Sequence, residues 1–296
     1  EKCGSSDTVA NDQYGNALGI ITRTNSDVYA IVGAKYHSVT GSAYLLSYDG
    51  KTRQWEHVAE FIPGGASANG GFDGEDITSS YDQFGYSVVI SDDWVAISAP
   101  FDTASTGKVS MYWLDSVTKG GQLEPAIELV ANDKQYSARF GSSLAMDGDT
   151  LVVGAVKDRS NLGSVYIYKY DGNAGGWMEM GKIGPDDVAS DSQGNFGHSV
   201  AIAPGIIAVG APYDGTNGRR RNGSVYIYSD TYQLLQKIEG NNDLLGGDQF
   251  GGSLAAETSV NPTTFFLETR IAVGARLRDD KGMDSGSVYI YVKRDG

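Results

Sequence analysis

Phe196-Gly-His-Ser-Val-Ala-Ile202, then Ile207-Ala-Val-Gly-Ala-Pro212, then Gly223-Ser-Val-Tyr-Ile-Tyr228 follow one another in a single stretch, and their order decides the fold. The same three elements recur along the chain, and a repeat of this kind outranks any local assignment. The aromatic-glycine pair returns as Tyr14-Gly15, Phe84-Gly85, Phe140-Gly141, Phe196-Gly197 and Phe250-Gly251, at spacings of 70, 56, 56 and 54 residues. The second element reads Val32-Gly33-Ala34, Ile97-Ser98-Ala99, Val153-Gly154-Ala155, Val209-Gly210-Ala211 and Val273-Gly274-Ala275. The third opens at Gly41, Gly107, Gly163, Gly223 and Gly286, and in the last three copies reads Gly-Ser-Val-Tyr-Ile-Tyr.

Each unit therefore offers three β-rich runs separated by Gly, Asp, Asn and Ser clusters that suit turns. A fourth, weaker run follows at 55–62, 125–130, 177–183 and 234–238. Four antiparallel strands per repeat is the plan of a propeller blade, so the expected fold is all-β, a five-bladed β-propeller of four-stranded antiparallel blades. In the third run Val165 and Ile167 point to one side and Tyr166 and Tyr168 to the other, so both faces suit packing against neighbouring blades. Small residues after the aromatic-glycine pair, as in Gly141-Ser142-Ser143, suit crowding near a central axis. Only Val292 to Gly296 follow the last Tyr-Ile-Tyr run, while Val9-Ala10-Asn11-Asp12 repeats Val130-Ala131-Asn132-Asp133. Residues 4–10 are thus expected to supply the last blade's outer strand and close the ring. The chain is read as one domain, 1–296, with repeats at about 13–82, 83–138, 139–194, 195–248 and 249–296 plus 4–10.

The 23 Lys+Arg against 37 Asp+Glu give a net charge of −14, which repels phosphate backbones and anionic membranes, so nucleic acid is not an expected partner. No apolar run reaches the roughly 18 residues of a bilayer span, so direct membrane insertion is not expected either. Glu1-Lys2-Cys3-Gly4 carries no signal-peptide pattern, which reads as a mature chain or an excised domain. The single cysteine, Cys3, has no internal partner. Either the compartment is reducing or its partner thiol lies in another chain or a larger parent chain. Asn222-Gly223-Ser224 is the one glycosylation sequon.

Phe-Gly, then Val-Gly-Ala-Pro, then Gly-Ser-Val-Tyr resembles the FG-GAP repeat of the integrin α-chain propeller, and the resemblance covers nearly all 296 residues. It implies an extracellular or cell-surface module for adhesion or ligand recognition, and favours the intermolecular disulfide for Cys3. Calcium is the cofactor such a resemblance suggests, held in a loop of the form Asp-x-Asp-x-Asp-Gly between the first two strands. Here those connections read Ser91-Asp92-Asp93, Asp147-Gly148-Asp149 and Ala203-Pro204-Gly205, with two longer acid-poor stretches at 22–27 and 257–268. None supplies that spacing. Asp147-Gly148-Asp149 suits a tight hairpin turn better, so no metal and no other cofactor is expected.

In a propeller the loops from second to third strand and those between blades emerge on one side, where binding usually resides. Asp102, Asp158, Asp214 and Asp279 recur after the Gly-Ala element; they form either a carboxylate ring for a cation or basic segment, or turn caps. The series Asp12, Asp82 and Asp248 invites the same two readings. Tyr36, Phe101 and Tyr213 occupy matching positions, suited to sugar stacking, a peptide anchor or packing between blades. Arg219-Arg220-Arg221 is the one basic cluster, either an anion-pairing site or a solvated loop.

Catalysis is not expected. His37, His57 and His198 fall in three different structural slots, and no nucleophile elbow, metal spacing or phosphate loop appears. The expected function is a non-catalytic recognition or adhesion module that binds a protein or glycan ligand through its acidic loops. A lectin-like sugar binder, a secreted polysaccharide lyase or hydrolase working through paired carboxylates, and an architectural subunit are the alternatives.

Overall fold

The computed structural model describes residues 10–38, 40–63, 82–120, 123–185, 194–215, 222–240, 247–262, 267–278 and 284–294. Its strands form five antiparallel sheets, the blades of a β-propeller fold. The first blade holds β1 (Leu18–Thr22), β2 (Val28–Ala34), β3 (Ser42–Asp49) and β4 (Gln54–Phe61). The second holds β5 (Val88–Ile90), β6 (Trp94–Ala99), β7 (Lys108–Trp113) and β8 (Ile127–Leu129). The third holds β9 (Phe140–Asp147), β10 (Thr150–Ala155), β11 (Ser164–Asp171) and β12 (Gly176–Ile183). The fourth holds β13 (Ser199–Ala203), β14 (Ile206–Ala211), β15 (Ser224–Ser229) and β16 (Leu234–Glu239). The last blade has three described strands, β17 (Phe250–Val260), β18 (Leu267–Ala275) and β19 (Ser287–Arg294). The expected fourth strand from residues 4–10 lies outside the described residues except for Ala10.

The four expected outer strands are present, each within two residues of its expected start. One element was not expected. A five-residue helix, Leu114–Thr118, follows β7 and buries Leu114 and Val117. Those two side chains extend the apolar face that Ile31, Leu45 and Phe61 share with Val88, Val95 and Ile97.

Two compact units divide the chain, one comprising 1–144 with 171–177 and the other 145–170 with 178–296. In the first, the facing sides of the first two blades enclose a core of Ile31, Leu45, Phe61, Phe84, Ile97 and Tyr112. In the second, Val165, Ile167, Phe196, Val209, Tyr226 and Tyr228 pack together, and Ala208, Ile227, Phe250, Ile271 and Val273 form a further layer. Phe84, Phe140 and Phe196 are almost wholly buried, each contributing roughly 1.5–3 kcal/mol of apolar transfer.

The repeated motifs act where one blade meets the next. The Phe84 N–H donates to the Thr40 carbonyl at 2.8 Å, and the Phe140 N–H to that of Thr106 at 2.9 Å. In the second unit Phe196 repeats the bond with Leu162 at 3.0 Å and Phe250 with Asn222 at 2.9 Å. The glycine after each acceptor is thereby pressed onto the neighbouring backbone: a Cβ on Gly107 would lie 2.1 Å from the Phe140 carbonyl oxygen. The aromatic-glycine pair and the glycine that opens the third strand are therefore two halves of one joint.

Candidate functional site

Three residues beyond the alanine of each Val-Gly-Ala segment the chain reaches one structural slot, filled in turn by His37, Asp102, Asp158, Asp214 and Arg278. Asp158 is fully buried, accepts the Tyr166 hydroxyl at 3.2 Å and meets the Lys182 ammonium at 2.6 Å. Asp214 repeats this with Tyr226 at 2.8 Å and Lys237 at 3.1 Å. In both blades the lysine also lies over the tyrosine ring, 4.8 Å and 5.0 Å from its centre. The carboxylates are thus held by side chains of their own blade's third and fourth strands. Asp102 is half-buried and meets Lys108 at 2.9 Å, and Lys108 also reaches Glu128 at 3.1 Å. Burial pulls the Lys108 ammonium down, but Asp102 and Glu128 outweigh it and hold the group above the ordinary lysine range.

Where the slot holds a cation or an imidazole, its partner is the aspartate two residues before the aromatic-glycine pair. His37 Nδ1 shares a hydrogen bond with Asp12 at 2.8 Å, and Arg278 meets Asp248 at 2.8 Å. In the blades whose slot is Asp158 or Asp214, that upstream position is Ala138 or Gly194. In these four blades the two positions exchange charge so that the interior stays compensated, as burial demands, whereas the second blade carries an aspartate at both, Asp82 and Asp102. Asp82 is buried as well.

Asp102 and Asp158 are each followed by three non-glycine residues in left-handed backbone: Thr103, Ala104 and Ser105 at φ 47, 57 and 62°, then Arg159, Ser160 and Asn161 at φ 51, 60 and 74°. Such residues cost about 1–2 kcal/mol each, so these loop tips store strain. The first tip touches the loop between blades, with the Arg139 N–H donating to the Ser105 carbonyl at 2.9 Å.

The aromatic positions fare differently from the acidic ones. Tyr36 is 41% exposed, while Phe101 and Tyr213 are half-buried. Lys35 sits with its ammonium 5.4 Å from the Tyr36 ring centre and 4.7 Å from that of Tyr86. Tyr86 lies 6.3 Å from Phe101, and the Arg139 guanidinium covers Phe101 at 4.6 Å. In the second unit Tyr213 meets His198 edge-on at 6.3 Å. Burial, aided by the nearby Arg276 charge, holds His198 below the ordinary imidazole range.

Lys35, Tyr86 and Arg139 were missed from sequence, although Arg139 carries a signal. The residue before the aromatic-glycine pair is Gln13, Gln83, Asn195 and Gln249 elsewhere, so an arginine there departs from an amide rule. Of the remaining candidates, Asn222 is half-buried and its side-chain oxygen accepts the Gly247 N–H at 3.3 Å. Asp279, Arg219, Arg220, Arg221 and Cys3 lie outside the described residues.

Of the connections weighed for calcium, Asp147-Gly148-Asp149 is a turn between the third blade's first two strands. It closes a hairpin with Gly148 at φ 53° and the Asp149 carbonyl engaged by the Tyr170 N–H at 2.9 Å. Among the described residues no group of three His, Cys, Asp or Glu is placed to hold a metal, and no helix is long and apolar enough to cross a membrane. No curated protein matches the chain. A family model described as "FG-GAP repeat" matches residues 77–112, 126–168, 177–228 and 235–291, well over half the sequence. The first blade falls outside those matches, yet its β1 to β4 order and its Gly41 contact with Phe84 repeat the same joint. The joint between blades and the family match thus agree, and the chain belongs to the FG-GAP repeat family.

Proposed function

We propose that the protein is a non-catalytic recognition module, extracellular or at a cell surface, that binds a protein or glycan ligand through its loops. The loops concerned are those after the Gly-Ala segments and those between blades. The observation that carries this reading is the row of half-exposed aromatic and cationic side chains, Tyr36, Lys35, Tyr86, Phe101 and Arg139, on loops and strand ends of a rigid sheet frame. Aromatic and arginine side chains held by a rigid support are the usual anchors of binding surfaces. The buried Asp158 and Asp214 are committed to Lys182 and Lys237, so they brace strands within their own blades and leave the exposed loop residues to recognition. Cys3 supplies a thiol for an intermolecular disulfide.

Capture from native material with the immobilised chain, followed by mass spectrometry, tests the reading. A partner retained by the wild type and by Gln236→Ala on the exposed outer strand β16, but released by Tyr36→Ala combined with Phe101→Ala, is the expected result. Equal retention by the loop variant would contradict it.

A further inference from the structure

The side chains of the first unit form a continuous strip in the order Tyr36, Lys35, Tyr86, Phe101, Arg139, with successive separations of 5.4, 4.7, 6.3 and 4.6 Å. Its two cations differ from four other partly or fully buried ones among the described residues. Lys108, Lys182, Lys237 and Arg278 each meet a carboxylate within 3.1 Å. Lys35 and Arg139 meet none among the described residues, in a chain where 37 acidic residues face 23 basic ones. Both are half-buried and both rest on aromatic faces, and among the described residues no anion meets their side-chain N–H donors. Burial alone already pulls the Lys35 ammonium below the ordinary lysine range.

We propose that this strip binds an acidic glycan, a chain of sugar rings bearing carboxylate or sulfate groups; the inference rests on the recognition reading above and names its ligand class. Pyranose rings present flat C–H faces that stack on Tyr36, Tyr86 and Phe101, and hydroxyls that pair with the two phenols. The anionic groups then meet Lys35 as a point charge and Arg139 through its planar fork. An acidic peptide supplies the charges but places isolated carboxylates over the tyrosines, with nothing flat to stack. The chain's net charge of −14 opposes polyanions at long range, but beyond about 8 Å it is screened at physiological salt, and the local cations decide the contact.

Isothermal titration with the full chain tests the proposal, using tetragalacturonate, a chondroitin sulfate tetrasaccharide, methyl-esterified tetragalacturonate and tetraglutamate. One or both charged sugars are expected to bind, with the ester and the peptide at least tenfold weaker. Lys35→Met keeps the apolar stem and Arg139→Gln installs the residue that the Gln83 and Gln249 positions carry, so the fold is retained. Each is expected to lower affinity about tenfold, the loss of one charged hydrogen-bonding contact. Tyr36→Ala is expected to lower it about threefold or more. Unchanged circular dichroism and melting temperature confirm that the variants fold. Tetraglutamate binding as well as the sugars, affinity indifferent to both cation variants, or no binding of either charged sugar would overturn the proposal. If the sugars fail while partner capture succeeds, only the ligand class falls; failure of both removes the recognition reading.

Discussion

A methyl group added at Gly163 would sit 2.1 Å from the Phe196 carbonyl oxygen, on a residue whose φ is +89°. Neither the backbone angle nor the approach admits a side chain, and the neighbouring atom is backbone that cannot swing away. Gly163→Ala is therefore expected to destabilise the protein by roughly 3 kcal/mol or more, read from chemical denaturation. Ala104 presents the opposite case, an exposed alanine at φ 57° with no packing to lose. Ala104→Gly is expected to raise stability by about 0.5 kcal/mol, since relief of the left-handed strain exceeds the entropy that glycine adds to the unfolded chain. A loss of stability there would show that the tip's geometry is not strained. His198 sits at a depressed pKa because burial and Arg276 disfavour its charged form. Its contribution is absent where both states are neutral. As pH falls below about 6.5 the unfolded chain takes the proton first, and stability drops until the folded-state pKa is passed. His198→Asn should flatten that part of the stability–pH curve, and an unchanged slope would contradict the assignment.

At the scale of the strand and its neighbours, the third and fourth strands of the third and fourth blades are tied to their own loop by a carboxylate, a phenol and an ammonium. Among the described residues, Lys237→Met leaves the buried Asp214 carboxylate with the Tyr226 hydroxyl as its remaining side-chain partner, an expected cost of about 3 kcal/mol. Asp214→Ala together with Lys237→Met should recover most of that loss, because removing both charges removes the desolvation penalty. Additive losses in this double-mutant cycle would mean that the pair is not coupled. These ties explain which parts of the sequence were legible. The strands were readable from their alternation and turn residues, and the outer strands from the Trp55 and Trp177 runs. The helix Leu114–Thr118 was not, because Leu-Asp-Ser-Val-Thr after a β-run carries no cap or period that separates it from a turn. The recurring aspartates were visible as a series, but the lysines that engage them lie 24 and 23 residues further on, and only strand register brings them across.

For the whole molecule, the repeat made the all-β blade plan readable, since each of the first four units is linked to the following one through the same joint. The proposed recognition surface was half readable: Tyr36 and Phe101 stood out by position, whereas Lys35, Tyr86 and Arg139 became a group only when neighbouring blades brought them together. The claim that the loops bind and the blades support is tested most directly by photo-crosslinking. A photoreactive side chain is placed in turn at Tyr36, Phe101 and Tyr213, and at the exposed outer-strand positions Glu56 and Gln236, before the captured partner is mapped by mass spectrometry. Crosslinks from the three loop positions and none from the outer strands are the predicted result. Crosslinks confined to Glu56 and Gln236 would contradict it.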